Sequence, residues 1–484
     1  MKRALLVGAA LLVLALGFLA AAAAAVDGTA EQVAYTETVL YGSRAAAEGL
    51  RVDVRADCDR YLFWDTSLSF GADAVTAGTD FRFRSTQEPI EWTHEITGLS
   101  LWADLYGGMG FSQGHTPEEL RSMAEEDPAQ QHMLPLWLDA AAQTPAGERR
   151  TVRLRLSDYY TFYPLEHSAD LGRLSGSGWY NNREAVQQFF RIPVPETLQL
   201  DITVEKDAEG RITDLSSNPA AGLPIADFCG VSAVTEKYCF FAFCDFCSPN
   251  GWAYMDLRNV PGGRGVYRFP HACDEYGGEN YDASQLETVF PLPDDEPVLA
   301  LTADSEGHPL LVTAADGSLM LTVLDPEGRT ALQRTELGPP PPPKTDGYSC
   351  LLSVYDGWMV FEYQSSRREC GDLAVAARGA DGLWQAVLYA PCEQSDACWP
   401  EGLTTCGDRA FAWDGSRLAV VQSAYDRNSG GSSGSFFAEV FDADGLQYFA
   451  RLDGSLGVPS ANGSRPVSAA ERDTRFGGFR ARFS

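Results

Sequence analysis

The segment Thr313-Ala-Ala-Asp-Gly-Ser-Leu-Met-Leu321 places an Asp-Gly pair between two short apolar runs, and this pattern decides the fold. Both Asp and Gly tolerate a positive φ, so an Asp-Gly pair between apolar strands predicts a tight β-hairpin. The pattern recurs at Ser353–Phe361 (SVYDGWMVF) and at Phe411–Val421 (FAWDGSRLAVV). A further strand, a turn containing Asp and Gly, and a last strand follow each copy. The second half of the chain is therefore predicted to repeat a unit of two hairpins.

Two hairpins in one unit make a four-stranded antiparallel sheet. Units of about 40–50 residues with four strands are typical of β-propeller blades. We therefore predict an all-β, mainly antiparallel fold with propeller-like four-stranded repeats over residues 201–470. Residues 28–200 are predicted to be β-rich with short helical insertions, one of which begins at the capping box Thr116–Glu119. Residues 471–484 are predicted to form an Arg-rich C-terminal tail.

The N-terminus reads Met1-Lys-Arg3 and continues into an unbroken apolar run over residues 4–26. Basic residues before an apolar core are typical of an export signal, and a run of roughly 20 apolar residues can cross a bilayer as a helix. Residues 1–27 are therefore predicted to be either a signal peptide or a membrane anchor, with residues 4–26 in the membrane. Basic residues stay on the cytoplasmic side, so we expect the rest of the chain to be extracytoplasmic, either anchored or secreted.

The formal net charge of the chain is −30, from 67 acidic and 37 basic residues. A surface of this charge repels nucleic acid and anionic lipid, so neither is expected as a partner of the body of the protein. An apolar content of 45% is typical of a globular chain and not of a disordered one. Composition therefore indicates a folded, acidic body.

The stretch Tyr238–Cys247, YCFFAFCDFC, contains three cysteines, and the last two have C-x-x-C spacing. A metal site here would draw on Cys239, Cys244, Cys247, Cys273 and His271. Structural zinc sites usually take their four ligands from two close pairs, and the second pair is missing. A redox dithiol requires C-x-x-C at the start of a helix, whereas a turn follows here. The alternation of the stretch instead predicts a strand that is apolar on both faces.

An exported protein lies in a compartment where disulfides persist, so disulfide bonds are the favoured interpretation of these cysteines. They would hold a strand exit or a loop in place. The candidates are Cys244, Cys247, Cys392 and Cys398.

Carboxylates and aromatic residues supply the remaining candidates. Asp65 follows an aromatic strand, and Glu166-His167 follows the aromatic run Tyr159–Tyr163. A glycosidase needs two carboxyl groups about 5–10 Å apart, whereas a strand-edge or capping role explains each of these residues more simply. Exposed aromatic rings bind sugars and peptides. The candidate ligand platforms are Trp179, Tyr180 and Trp399.

No nucleophile, metal or cofactor motif stands out in the sequence. The leading hypothesis is a non-enzymatic bacterial surface protein, exported or anchored through its N-terminus, whose propeller-like body binds a protein or a glycan and requires no cofactor. A carbohydrate-active hydrolase with paired carboxylates is the first alternative. A metal- or redox-active cysteine site at Cys239–Cys247 is the second.

Overall fold

The structure is a computed structural model of the 484-residue chain. It describes residues 11–22, 24, 34–58, 62–83, 98–103, 105, 107–126, 131–170, 179–220, 227–228, 230–244, 256–273, 279–340, 348–365, 371–401, 403–426, 431–454 and 475–484. The helices within these ranges are α1 (11–22), α2 (Pro117–Glu126), α3 (Leu134–Ala142), α4 (Trp179–Phe189) and α5 (Glu393–Cys398).

Most of the described chain consists of β-strands. In chain order they are β1 (Tyr35–Gly42), β2 (Leu50–Cys58), β3 (Leu62–Phe70), β4 (Val75–Phe83), β5 (Gly98–Trp102), β6 (Gly107–His115), β7 (Arg149–Arg155), β8 (Glu166–Asp170), β9 (Gln199–Lys206), β10 (Ile212–Pro219), β11 (Asp227–Phe228), β12 (Gly230–Val234), β13 (Tyr238–Phe243), β14 (Gly265–Cys273), β15 (Glu279–Tyr281), β16 (Glu287–Pro291), β17 (Val298–Ala303), β18 (Pro309–Ala315), β19 (Ser318–Leu324), β20 (Ala331–Gly338), β21 (Tyr348–Tyr355), β22 (Trp358–Ser365), β23 (Asp372–Arg378), β24 (Trp384–Ala390), β25 (Leu403–Trp413), β26 (Leu418–Asp426), β27 (Gly431–Asp442), β28 (Gly445–Gly454) and β29 (Arg475–Phe483).

The predicted hairpins form as the turn chemistry requires. Strands β18 and β19 pair antiparallel around Asp316 and Gly317, which have φ values of 53° and 79°. Strands β21 and β22 pair in the same way around a turn in which Gly357 has a φ of 77°. A positive φ is the conformation that Asp-Gly accepts at low cost, so the local sequence determines these turns. The hairpins extend into the sheets β17-β18-β19-β20 and β21-β22-β23-β24.

Chain contacts divide the molecule into two compact units. Unit 1 comprises residues 1–94, 367–375 and 387–484, and unit 2 comprises residues 95–366 and 376–386. Each unit takes residues from both predicted regions, 28–200 and 201–470. The boundary near residue 200 therefore stays a prediction, and it is not the point at which the chain contacts divide.

Unit 1 contains two sheets, and each of them combines strands from the N-terminal and the C-terminal part of the sequence. The first has the order β1-β28-β27-β26-β25, and the second has the order β29-β2-β3-β4. Strand β29 pairs antiparallel with β2 from Leu50↔Phe483 to Asp57↔Arg475. The residues predicted as an Arg-rich tail are thus mainly a sheet strand, because Phe479 and its alternate neighbours point into the core while Arg480 and Arg482 face solvent.

Unit 2 contains the sheets β6-β10-β9-β7, β11-β5-β8, β12-β13-β14-β15 with β16 beside β14, and β17-β18-β19-β20. The edge strands β12, β17 and β21 contact one another in succession. Edge strands of successive four-stranded sheets lie side by side in this way in propeller blades. The predicted fold class, mainly antiparallel with propeller-like four-stranded sheets and few helices, is confirmed.

Each unit has its own apolar core. In unit 1 the core includes Val52, Phe436 and Tyr448. In unit 2 one cluster packs α3 and α4 against the sheets and includes Trp137, Phe190 and Phe241. Strand β13 contributes to this cluster through Phe241 and, on its other face, to a further cluster through Phe240. The prediction of a strand that is apolar on both faces is confirmed.

The described part of the N-terminal run is α1, whose side chains are all exposed. No helix in the described residues is both long enough and apolar enough to cross a membrane. The predicted membrane segment comprises residues 4–26, and only residues 11–22 and 24 of it are described. The signal or anchor role of the segment therefore stays a prediction.

Candidate functional site

A buried polar cluster and an open cavity lie on opposite sides of helix α4 in unit 2. The buried side begins at strand β8, where consecutive side chains alternate between faces. Glu166 and His167 open this strand, and they are 2% and 0% exposed. Two buried titratable residues in succession are unusual in an apolar core, where a charge requires a partner. Their partners come from distant segments of the chain.

Glu166 is held by two basic residues. Arg183 of α4 forms an ion pair with its carboxylate, and Nδ1 of His132 lies 3.8 Å from the same oxygen, Oε1. The side chain of Glu166 is 3% exposed and that of Arg183 is 20% exposed. Burial of a carboxylate becomes tolerable when a guanidinium lies this close, because the ion pair replaces the lost hydration.

His167 contacts a different residue. Its Nε2 lies 3.0 Å from the hydroxyl of Tyr281, and its Nδ1 has no hydrogen-bond partner among the described residues. Burial lowers the pKa of His167 to about 4, and the positive charge of Arg183 adds to the effect. The imidazole is therefore neutral at pH 7.

Asn182 links α4 to the Tyr281 segment. Its Nδ2 donates to the carbonyl of Tyr281 at 3.1 Å, and its Oδ1 accepts from the backbone N–H of Ala283 at 2.8 Å. Asn182 and Arg183 thus attach the first turns of α4 to β15 and to β8. We call Glu166, His167, Asn182, Arg183 and Tyr281, together with His132, the buried polar cluster.

The remainder of the inner face of α4 is apolar. Val186 and Phe190, one helical turn apart, are both fully buried. The ring of Phe190 packs edge-on against Phe243 and Tyr267, with centroid distances of 5.4 Å and 5.1 Å. This spacing of apolar residues fixes which side of α4 faces solvent.

The outer side of α4 lines an open cavity with a volume of about 530 Å³. Its lining residues are Phe162, Glu184, Gln187, Gln188 and Arg191. Three contacts order these side chains. Nε2 of Gln187 donates to the carbonyl of Leu165 at 3.0 Å, Nε2 of Gln188 donates to Glu184 at 2.8 Å, and the guanidinium of Arg191 lies 4.4 Å from the centre of the Phe162 ring. The cavity thus presents an ordered amide, carboxylate, guanidinium and aromatic surface.

A second titratable cluster lies in the turn between β17 and β18. The potential ligand atoms of Asp304, Glu306 and His308 lie within 4.8 Å of one another. Arg378 contacts Asp304 at 2.5 Å and Glu306 at 2.9 Å, and it lowers the pKa of Glu306. The guanidinium supplies the positive charge that a cation would bring, and it keeps Glu306 ionised. Glu306 therefore does not have the raised pKa of the carboxyl that a glycosidase uses as its acid.

The cysteine predictions require correction. Cys392 and Cys398 carry thiols and not a disulfide bond. Cys392 caps the N-terminus of α5 and Cys398 is its last residue. Six residues of helix separate their Cα atoms by about 9 Å, whereas a disulfide requires less than about 7 Å. The sequence predicted a loop here and not helix α5.

We expect both thiols to react without reduction. Alkylation of the denatured chain in the absence of reductant should modify Cys392 and Cys398 completely, as measured by mass spectrometry of the proteolytic peptides. A parallel sample that is reduced before alkylation provides the control. A disulfide-linked peptide containing either residue would contradict the thiol state of the two cysteines in the structure.

The candidate metal ligands in and near the stretch Tyr238–Cys247 make separate contacts. Cys239 and Cys244 are buried thiols, and Sγ of Cys244 contacts the carbonyl of Leu299 at 3.6 Å. Nε2 of His271 lies 2.7 Å from the carbonyl of Thr235. Cys247 lies outside the described residues, as does the side chain of Cys273. The metal and disulfide roles of these two residues stay predictions.

The remaining candidates occupy ordinary positions or stay untested. Asp65 forms a two-point ion pair with Arg55 on the paired strand, at 2.8 Å and 3.2 Å. Trp399 is half-buried, and its ring lies 4.4 Å from that of Phe437. Trp179 and Tyr180 open α4, but their side chains lie outside the described part of the structure. The ligand-platform role of the three aromatic residues stays a prediction.

The sequence drew attention to Glu166 and His167, although a strand-edge or capping role was favoured for them, and it gave no sign of the residues that surround them. Arg183, Asn182 and Tyr281 become relevant only through the docking of α4 on β8 and β15. Gln187, Gln188 and Arg191 carried one signal in the sequence, since polar residues three and four positions apart lie on one face of a helical turn.

No family model matches the chain, and no curated protein matches it. Among solved structures it is similar to a protein from Lactobacillus plantarum (11% identity, 60% of this chain and 83% of that one, TM-score 0.23). It is also similar to the GH43 BlXynB protein from Bacillus licheniformis (11% identity, 51% and 52%, TM-score 0.25) and to the Dos1 propeller (11% identity, 43% and 54%, TM-score 0.19). The chain spans about half the length of the last two. Similarity at these TM-scores transfers no activity, so the fold class rests on the sheets themselves.

Proposed function

We propose that the chain is a non-enzymatic binding module of propeller-like fold, exported or membrane-anchored at a bacterial surface, which binds a glycan or a protein in the α4 cavity. The cavity lining is the observation that carries this proposal. Phe162 offers a ring, Arg191 and the glutamine amides offer hydrogen-bond donors, and their oxygens offer acceptors. A set of this kind suits a ligand rich in hydroxyl or amide groups.

The lining also favours binding over hydrolysis. Glu184 is the one carboxylate among the five lining residues, and it accepts a hydrogen bond from Gln188. Retaining and inverting glycosidases need two carboxyl groups about 5–10 Å apart across the sugar. The hydrolase alternative therefore receives no support from this cavity.

The test of binding compares three forms of the protein on an array of glycans and cell-wall fragments. We expect the wild type to bind and Arg191→Ala to bind roughly 10- to 100-fold more weakly, since a hydrogen bond to a charged group contributes about 1.5–3 kcal/mol. Arg155→Ala is the matched control, because Arg155 is exposed on strand β7 of the same unit and lies outside the cavity lining.

Two results would contradict the proposal. Equal affinity of Arg191→Ala and wild type would remove the cavity as the site. A silent array would remove the glycan ligand, and a peptide array screened with the same three forms would then decide whether a protein ligand binds there.

Protease treatment of intact cells tests the location, because a surface protein is cleaved and an internal one is protected.

A further inference from the structure

Helix α4 carries two sets of polar side chains on opposite faces. On the inner face Asn182 and Arg183 belong to the buried polar cluster, where they contact Tyr281 and Glu166. On the outer face Glu184, Gln187 and Gln188 line the cavity. Because one rigid helix carries both sets, the positions of the cavity residues depend on how firmly the inner anchors hold α4.

We propose that the buried polar cluster is a proton-sensitive anchor for α4, so that mild acid loosens the helix and releases a ligand from the cavity. The release of ligand rests on the proposed binding function, whereas the loosening of α4 does not. His167 is the residue that would take up the proton.

The geometry explains why a proton disturbs this anchor. His167 is fully buried, so bulk solvent does not reach its ring and an imidazolium there would be poorly solvated. Within the described structure His167 has one hydrogen-bond contact, with the hydroxyl of Tyr281. The backbone carbonyl of Tyr281 also accepts a hydrogen bond from the side chain of Asn182 on α4. A charge on His167 would therefore act at the point where α4 is attached, and Arg183 on the same helix would repel it.

The direction of the pH dependence follows from the two states of His167. The pKa is about 4 when α4 is docked and returns to the ordinary value of about 6.5 when the site is hydrated. The opened form thus binds the proton more tightly. Docking is at full strength above about pH 6.5 and weakens as the pH falls towards 4.

The other titratable groups around His167 come from four segments. Arg183 belongs to α4, Glu166 is the preceding residue of β8, Tyr281 ends β15, and His132 precedes α3. Since His132 and Arg183 both contact Oε1 of Glu166, a proton on His132 is attracted by the carboxylate and repelled by the guanidinium. His167 has no carboxylate among its described hydrogen-bond contacts, which makes it the sensitive residue.

Hydrogen–deuterium exchange of the α4 amides in the full chain tests the anchor. After correction for the intrinsic exchange rate, the population of opened α4 should rise about eightfold between pH 7 and pH 5.5. His167→Gln keeps a side chain that can bond Tyr281 but cannot titrate, so its α4 exchange should not depend on pH. His271→Gln is the matched control, because His271 is a half-buried histidine in the same unit, and this variant should retain the eightfold change.

An unchanged α4 exchange in the wild type, or an identical increase in His167→Gln, would overturn the anchor. Should His167→Gln fail to fold, histidine NMR of the wild type decides: titration of His167 near pH 6.5 overturns the proposal, and titration near pH 4 supports it.

Array binding at pH 7 and pH 5.5 tests the release of ligand from the cavity. Silence on both the glycan array and the peptide array removes the binding function and leaves the anchor untouched, whereas equal binding at both pH values with α4 opened removes the coupling.

Discussion

Replacing Phe190 with Ala should lower the free energy of unfolding by about 3–5 kcal/mol, the usual cost of removing a buried aromatic ring. Phe190 is fully buried at the end of α4, and its ring packs edge-on against Phe189, Phe241, Phe243 and Tyr267. Each such contact adds to the loss of buried area, and the rigid surrounding strands cannot close the cavity that remains. Urea unfolding followed by tryptophan fluorescence, to which Trp137 of the same core cluster contributes, measures the loss.

Phe190→Leu is the control for this prediction. Leucine keeps most of the apolar volume, so the loss should fall to about 1.5 kcal/mol, near the limit for volume-conserving exchanges. A loss below about 1 kcal/mol for Phe190→Ala would mean that the core of unit 2 collapses onto the vacated space, which does not fit a ring enclosed by four others.

The hairpins of the fold were predictable because their information is local. The Asp316-Gly317 pair specifies a turn wherever it stands between apolar strands, and the structure places β18 and β19 on its two sides. Pairing between distant segments has no such signal. Strand β29 joins β2 through contacts such as Leu50↔Phe483, which two alternating apolar patterns permit but do not specify.

The candidate site likewise combines a feature with a local sequence signal and contacts between distant segments that have none. Glu166 and His167 were noticed because charged residues follow an aromatic run. Their burial and their partners were not predictable, because Arg183 and Tyr281 belong to segments that meet β8 only through the tertiary fold. The error at Cys392 and Cys398 has a different cause. The two cysteines were predicted to fasten a loop, whereas the residues between them form helix α5, which holds the two thiols apart.

Replacing Glu166 with Gln should lower the free energy of unfolding by about 3 kcal/mol, at the lower end of the range for breaking a buried ion pair. The carboxylate is 3% exposed, and its removal leaves the charge of Arg183, itself 20% exposed, without this anion. The partial exposure of the guanidinium is the reason to expect the lower end of the range. Chemical denaturation at pH 7 measures the change.

Asp201→Asn provides the matched control. Asp201 forms a two-point ion pair with Arg153 at 2.7 Å and 2.8 Å, but the arginine side chain is 58% exposed, so water replaces the lost carboxylate and the change should stay below about 1 kcal/mol. The double variant Glu166→Met, Arg183→Met removes both charges and should recover most of the loss, because two apolar side chains need no partner. Equal losses for Glu166→Gln and Asp201→Asn would show that burial does not determine the strength of the α4 anchor. In that case hydration reaches the buried polar cluster, and the low pKa of His167 would lose its physical basis.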